Sequence, residues 1–255
     1  MKKIGVLPSL VTLGNLLCGF GAIVCASSEV SPIELEPNFE LAAWLILLAM
    51  VFDGLDGRIA RLTNVSTDFG MELDSLCDVV SFGLAPAVLV HRMALYYQAP
   101  DLPSEAIWSL SALFVVCAAL RLARFNVETS PQEEAHDTFQ GLPSPAAAGL
   151  IAGLVVVNRC FFGNHVVFLL PFAAVLGGAL MISNIRYVHV LNRIIRGRHS
   201  FRYLVEIVFF LIIMALNLRL ALACSFVAYA LTGPVGALEE MLRSTGAPAD
   251  REIHS

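Results

Sequence analysis

Long apolar runs separated by short polar breaks organise the chain from end to end. A helix that crosses a bilayer needs roughly 20 mostly apolar residues. Clean runs of this kind occupy Ile4–Ser28, Ala106–Leu120, Thr138–Asn158, Cys160–Ile185 and Leu220–Leu238. Three more carry charge at one end: Leu41–Phe52 ahead of Asp53, Val79–Val90 behind Asp78, and Ile207–Leu218 behind Glu206. The pattern predicts an all-α integral membrane protein with about eight transmembrane helices. The last two, near 203–217 and 219–237, are split only by a short turn at Asn217–Arg219, so they form either a hairpin or one kinked element. Residues 1–240 read as a single transmembrane domain and 241–255 as a polar cytoplasmic tail, with short loops and no obvious internal repeat.

Composition narrows the class. The 255 residues are 57% hydrophobic and 15% charged, with a mean hydropathy of +0.75. A soluble domain is nearer 45–50% apolar and about 25% charged. A cytosolic globular enzyme, a disordered chain and a nucleic-acid binder are therefore excluded, the last also by a net charge of −5. Cys18, Cys25, Cys77, Cys117, Cys160 and Cys224 lie in apolar runs without CxxC spacing and read as small hydrophobes. Lys2 and Lys3 precede an apolar stretch too long for a signal-peptide core, so this stretch reads as a first membrane helix. With the N-terminus inside and the spans alternating, only Arg92, Arg159 and Arg219 among the basic residues fall at outside ends. Glu29, Glu34, Glu36 and Glu40 make the first outside loop acidic. This bias predicts a multi-pass protein of the cell (inner or plasma) membrane with both termini cytoplasmic.

The second and third spans contain carboxylates where lipid disfavours them. Helices at about 41–62 and 69–95 carry Asp53, Asp56, Asp74 and Asp78. Spacings of three and four residues place each pair on one helix face. The short polar turn at Thr63–Asp68 makes the helices antiparallel neighbours, so the pairs can face each other near the cytoplasmic ends. Four converging acids in a dehydrated pocket need a cation. Hard oxygen donors suit Mg²⁺ or Mn²⁺, with Ca²⁺ also possible, and one or two such ions could grip a diphosphate. Gly57, Ala60 and Gly70 would let a ligand approach the backbone closely, and Arg61 could take a phosphate charge.

Asp53-Gly-Leu-Asp-Gly-Arg-Ile-Ala-Arg61, followed by Gly70-Met-Glu-Leu-Asp-Ser-Leu-Cys-Asp78, resembles the signature of the CDP-alcohol phosphatidyltransferases at all eight motif positions. The resemblance extends over most of the chain and is least diagnostic beyond about residue 200. It implies that family's helical bundle as the catalytic domain, cleavage of a CDP-linked donor with release of CMP, and transfer of the phosphoryl group to an alcohol. By the same resemblance Asp53, Asp56, Asp74 and Asp78 would ligate two metal ions, and Asp78 would also act as base. Gly57, Ala60, Arg61 and Gly70 would line the cytidine and diphosphate site, and a homodimer is expected. No Ser-His-Asp or Cys-His arrangement is apparent, which favours direct attack by the acceptor.

Three further stretches bear on the acceptor. They are Pro8-Ser-Leu-Val-Thr12-Leu-Gly-Asn15-Leu-Leu-Cys-Gly19, Ser81-Phe-Gly-Leu-Ala-Pro86, and Arg121-Leu-Ala-Arg-Phe-Asn126 with Gly141-Leu-Pro-Ser-Pro145 beyond it. Together they resemble the bacterial and archaeal branch of the family that uses CDP-diacylglycerol and L-serine. That resemblance implies phosphatidylserine and CMP as products and places Pro8 and Thr12 near the cytidine. A serine carboxylate needs a cationic partner, for which Arg121 and Arg124 are the candidates; Ser81, Asn126 and Ser144 could add hydrogen bonds. The plainer role for the two arginines is anchoring at lipid headgroups. The basic segment Asn184–Arg202 suggests an amphipathic surface helix drawn to anionic lipid, with Arg186 or Arg193 as possible phosphate ligands. The six histidines show no ligand spacing.

Rival readings remain at this stage. A glycerol 3-phosphate or inositol phosphate acceptor would want a more basic pocket, and a choline-type acceptor would want an aromatic cage that the sequence does not locate. An ion transporter would use the intramembrane acids but gives no reason for the glycine, alanine and arginine framework. A phospholipase D-type mechanism needs an HxK motif, and the only lysines are Lys2 and Lys3.

Overall fold

A computed structural model describes residues 6–28, 38–63, 68–98, 102–128, 138–158, 165–188 and 217–245. Helices run α1 Val6–Ser27, α2 Phe39–Thr63, α3 Asp68–Asp78, α4 Ala85–Tyr96, α5 Ser104–Glu128, α6 Ser144–Val157, α7 Leu170–Ile182 and α8 Leu218–Thr245. A π-helical segment, Val79–Leu84, joins α3 to α4, and a 3-10 turn, His165–Leu169, leads into α7. Two short strands, β1 Thr138–Gln140 and β2 Arg186–Val188, pair antiparallel with Phe139 opposite Tyr187.

The chain is an all-α multi-pass membrane protein. Among the described residues, four helical stretches are long and apolar enough to cross a bilayer: Val6–Ser27, Phe69–Tyr96, Ser104–Val127 and Leu218–Leu238. Helix α2 matches them in length at 25 residues but carries the acids. Helices α6 and α7, of 14 and 13 residues, fall short of a full crossing. The span expected near 203–217 lies almost wholly outside the described residues.

Packing follows the logic of a protein solvated by lipid. On α1 the buried residues are Thr12, Asn15, Gly19, Ala22 and Ala26, while Leu10, Leu17 and Phe20 point outward. Small and weakly polar residues bring backbones together, and the large apolar side chains face the bilayer. Helix α6 is apolar on every side and buried on nearly every side, as such a helix must be. It packs on α2, α7 and α8. Gly149 and Gly153 set its distance from α8: a Cβ on Gly149 would lie 2.6 Å from Phe226 Cδ1, and one on Gly153 would lie 3.0 Å from Ala223 Cα. An ion pair at 2.8 Å between Arg219 and Glu40 puts the first turns of α8 and α2 on the same side of the bundle.

Several expectations change. The helix expected from Thr138 begins only at Ser144. Gly141 has φ +81° and donates its N–H to Ile185 O, Leu142 donates to Leu180 O, and Pro143 is extended, so this turn breaks the run. The run expected as one helix over Cys160–Ile185 contains the 3-10 turn before α7 and ends at Ile182; Cys160 lies outside the described residues. The surface helix expected from Asn184 is instead a strand at Arg186–Val188, while Arg193, Arg196, Arg198 and Arg202 lie outside the described residues. The tail expected from residue 241 is helical as far as Thr245, and residues 246–255 lie outside the description. Also outside it are Lys2, Lys3, Glu29, Glu34, Glu36, Arg159, Arg251, His136, His189, His199, His254 and the centre of the Thr63–Asp68 turn.

Pro234 interrupts α8 and has no N–H for the carbonyl of Ala230. The Tyr187 hydroxyl from β2 donates to that carbonyl at 3.1 Å. Gly233 makes room, since a Cβ there would lie 2.6 Å from the Tyr187 oxygen. Burial pushes the Tyr187 phenol up to about 12, which keeps it protonated as a donor.

Candidate active site

Three elements build the site. Helix α2 contributes Asp53 and Asp56, α3 contributes Asp74 and Asp78, and α1 lies across both with its Thr12–Asn15–Gly19 face. The Thr12 hydroxyl donates to Pro8 O at 3.1 Å and lies near the Asp56 carboxylate. Asn15 Nδ2 donates to Asp78 Oδ1 at 3.1 Å. The two buried polar side chains of α1, Thr12 and Asn15, thus face acids on neighbouring helices.

Asp53, Asp56 and Asp74 bring carboxylate oxygens within 4.8 Å of one another. Asp78 adjoins that group, within electrostatic reach of Asp53 and Asp74, and takes its hydrogen bond from Asn15. Asp56 and Asp78 are 5% and 7% exposed, so water does little to separate these charges. Asp56 Oδ2 and Asp74 Oδ1 are buried and have no hydrogen-bond partner among the described residues. Buried carboxylate oxygens without donors, set close together, have the chemistry of a divalent-cation site.

The glycines of the motif find their use in open space. A Cβ on Gly57, or on Gly54 one turn earlier, would meet nothing within 4 Å. Protein packing therefore does not require these glycines, and they leave a bare strip of α2 backbone beside the acids. Ala60 follows on α2, and Gly70 lies in the first turns of α3. Arg61 is on α2, but its side chain lies outside the description.

The residues expected to meet serine divide into two groups. Arg121 belongs to the site: Nη1 donates to Ser144 Oγ at 2.8 Å, the guanidinium lies 5.4 Å from the Phe125 ring centroid, and its charge reaches both Asp53 and Asp78. Ser144, fully buried at the start of α6, accepts that bond. The other three hydrogen-bond to neighbouring elements. Arg124 donates to Asn184 Oδ1 at 3.0 Å and to Gln140 Oε1, bracing the β1–β2 ribbon. Asn126 and Ser75 are joined by hydrogen bonds at 2.9 and 3.0 Å, tying α5 to α3. Ser81 donates to Asn15 O at 3.0 Å.

Asn15 stands within the first-helix motif, where the sequence alone assigns it no role. Its signal was available: an amide three residues after Thr12, on the small-residue face of an apolar helix. Tyr229 of α8, which lies near Arg121 with its ring centroid 5.8 Å from that of Tyr187, had no such signal.

An acidic, cation-ready cluster at one end of a helical membrane bundle, beside an exposed glycine strip, defines a class of membrane-embedded phosphoryl-transfer protein. The chain belongs to the CDP-alcohol phosphatidyltransferase family, whose sequence model matches residues 5–183. This family is generally dependent on divalent metal ions. The chain is similar to the CDP-diacylglycerol–serine O-phosphatidyltransferase of Helicobacter pylori, with 40% identity over 183 residues covering 71% of this chain and 70% of the relative. It is 35% identical to the enzyme of that name from Methanocaldococcus jannaschii, over 76% of this chain and 79% of the relative. A Bacillus subtilis relative of the same name is also 35% identical, over 72% of this chain and 90% of the relative.

Proposed function

We propose that this chain transfers the phosphatidyl group of CDP-diacylglycerol to the hydroxyl of L-serine, forming phosphatidylserine and CMP. The observation that carries this reading is the convergence of Asp53, Asp56 and Asp74, with Asp78 and Arg121 beside them, at the foot of the bare α2 strip. The serine transferases named among its relatives supply the acceptor.

Asp53, Asp56, Asp74 and Asp78 would hold two divalent ions, Mg²⁺ or Mn²⁺. When bound, such ions neutralise the diphosphate and stabilise the departing CMP. Pro8, Thr12, Gly57, Ala60, Arg61 and Gly70 bind the cytidine diphosphate part of the donor, and Gly57 admits it against the helix backbone. Arg121, held by Ser144, takes the serine carboxylate as a charge-assisted partner. Arg124, Asn126 and Ser81 support that pocket through the elements they join. Asp78 accepts the proton of the serine hydroxyl. The hydroxyl oxygen bonds to the phosphatidyl phosphorus, the bond from that phosphorus to the bridging oxygen breaks, and CMP leaves with the electron pair. No covalent enzyme intermediate forms. Trapping of a labelled phosphatidyl-enzyme with CDP-diacylglycerol alone would contradict direct transfer.

Residues 1–240 act as one catalytic domain followed by a short tail. The charge bias supports an orientation with both termini and the site on the cytoplasmic face of the cell membrane, and the working form is a homodimer. The deciding experiment measures CMP release from CDP-diacylglycerol and L-serine with Mg²⁺ or Mn²⁺, comparing wild type with Asp78→Asn. Loss of a general base lowers the rate by about 10²–10⁴-fold. CMP release that requires glycerol 3-phosphate and ignores serine would reject the acceptor. Wild-type activity in Asp78→Asn would reject the base.

A further inference from the structure

Resting on the reading of Asp78 as the base, we propose that Asn15 is its positioning residue, a neutral clamp that points one carboxylate oxygen at the acceptor. Asn15 is 0% exposed, and its Nδ2 donates to Asp78 Oδ1 at 3.1 Å across 63 residues of sequence. That bond engages Oδ1 and fixes the direction of the Asp78 carboxylate. Only the NH₂ of the amide can face a carboxylate, because Oδ1 of Asn15 in that place would set acceptor against acceptor. The bond thereby orients both side chains. In a site this dry the hydrogen bond is strong, and losing it leaves a charged oxygen without its donor.

Asn15 is itself held from behind. Ser81, 0% exposed and three residues after Asp78, donates from its hydroxyl to the Asn15 backbone oxygen at 3.0 Å. Gly19, one turn after Asn15, permits this approach: a Cβ there would lie 2.7 Å from Ser81 Cα. The π-helical segment Val79–Leu84 starts directly after Asp78 and carries Ser81. Two reciprocal bonds thus tie α1 to the acid-bearing helix, side chain to side chain at Asp78 and side chain to backbone at Ser81. Arg121 also acts on Asp78, but through its charge. The Asn15 amide adds no charge and acts on the carboxylate through the direction of its N–H.

The test uses the full chain with Asn15→Leu and Asn15→Ala, two changes that remove the donor without adding a charge beside Asp78. The expected result is a kcat for serine-dependent CMP release lowered about 10- to 100-fold, with KM for CDP-diacylglycerol unchanged within about twofold. Wild-type kcat in both variants overturns the proposal. So does a rise in KM that parallels the loss of kcat, which would make Asn15 part of the binding site. If Asn15→Leu does not fold, Asn15→Ala decides, and failure of both to fold would assign Asn15 a purely structural role. Asp78→Asn measured alongside separates the two readings. If it is inactive while the Asn15 variants are normal, only the clamp falls; if it is fully active, the base assignment falls.

Discussion

Single residues of this chain carry their meaning through what they would cost without a partner. An aspartate in a bilayer-crossing helix is expensive unless something compensates it. That is why Asp53, Asp56, Asp74 and Asp78 were legible from type and spacing alone. Asn15 was not: one amide in an apolar helix is cheap, and nothing in its local sequence shows that an acid 63 residues away lies opposite it. Gly57 shows the reverse dependence. With nothing within 4 Å of an added Cβ, Gly57→Ala removes only the flexibility of glycine in a helix. Its melting temperature should hold or rise, in line with about 0.5–1 kcal/mol of helix propensity. KM for CDP-diacylglycerol should rise about tenfold as the methyl group occupies the donor's place. A folding defect in Gly57→Ala, or an unchanged KM, would remove Gly57 from the donor site.

At the level of elements, the apolar pattern located α1, α2, the α3–α4 span, α5 and the core of α8, because burial in lipid demands long uninterrupted runs. It failed where a local turn overrode the run. Gly141 and Pro143 stop a helix that hydropathy continues, and β1 then pairs with β2, a partner about 48 residues away by register (Thr138 with Val188 at one end, Gln140 with Arg186 at the other). The Tyr187–Pro234 arrangement makes a prediction at this scale. Tyr187→Phe leaves the Ala230 carbonyl buried without a donor and should cost about 1–3 kcal/mol of stability. In a Pro234→Ala background the restored amide can take over that carbonyl, so the same Tyr187→Phe change should cost much less. A double-mutant cycle by thermal unfolding measures the difference. Equal costs in both backgrounds would show that the tyrosine is not substituting for the missing amide.

For the whole molecule, the site exists only where three helices meet, and a bound cation should therefore hold them together. Mn²⁺ is expected to raise the melting temperature of the wild type, because it binds the folded cluster and relieves repulsion among Asp53, Asp56 and Asp74. In Asp74→Asn that shift should largely disappear, and the variant should be no less stable than wild type in the absence of metal. Chelation should abolish CMP release, and added Mg²⁺ or Mn²⁺ should restore it. A full Mn²⁺ shift in Asp74→Asn would place the cation elsewhere.

The sequence by itself determined the solvent, the number of acids and their pairing on faces, because these follow from local spacing and the cost of polar groups in hydrocarbon. It also carried the family signature, which is a string of neighbouring positions. Only the tertiary structure decided that three of the four aspartates cluster while Asp78 pairs with Asn15. It likewise drew Arg121 to the acids and to Ser144, Arg124 to Asn184 and Gln140, and Asn126 to Ser75. Those outcomes depend on which helix faces which and how closely, and the approach is set by small residues such as Gly19 and Gly153, whose partners lie far along the chain.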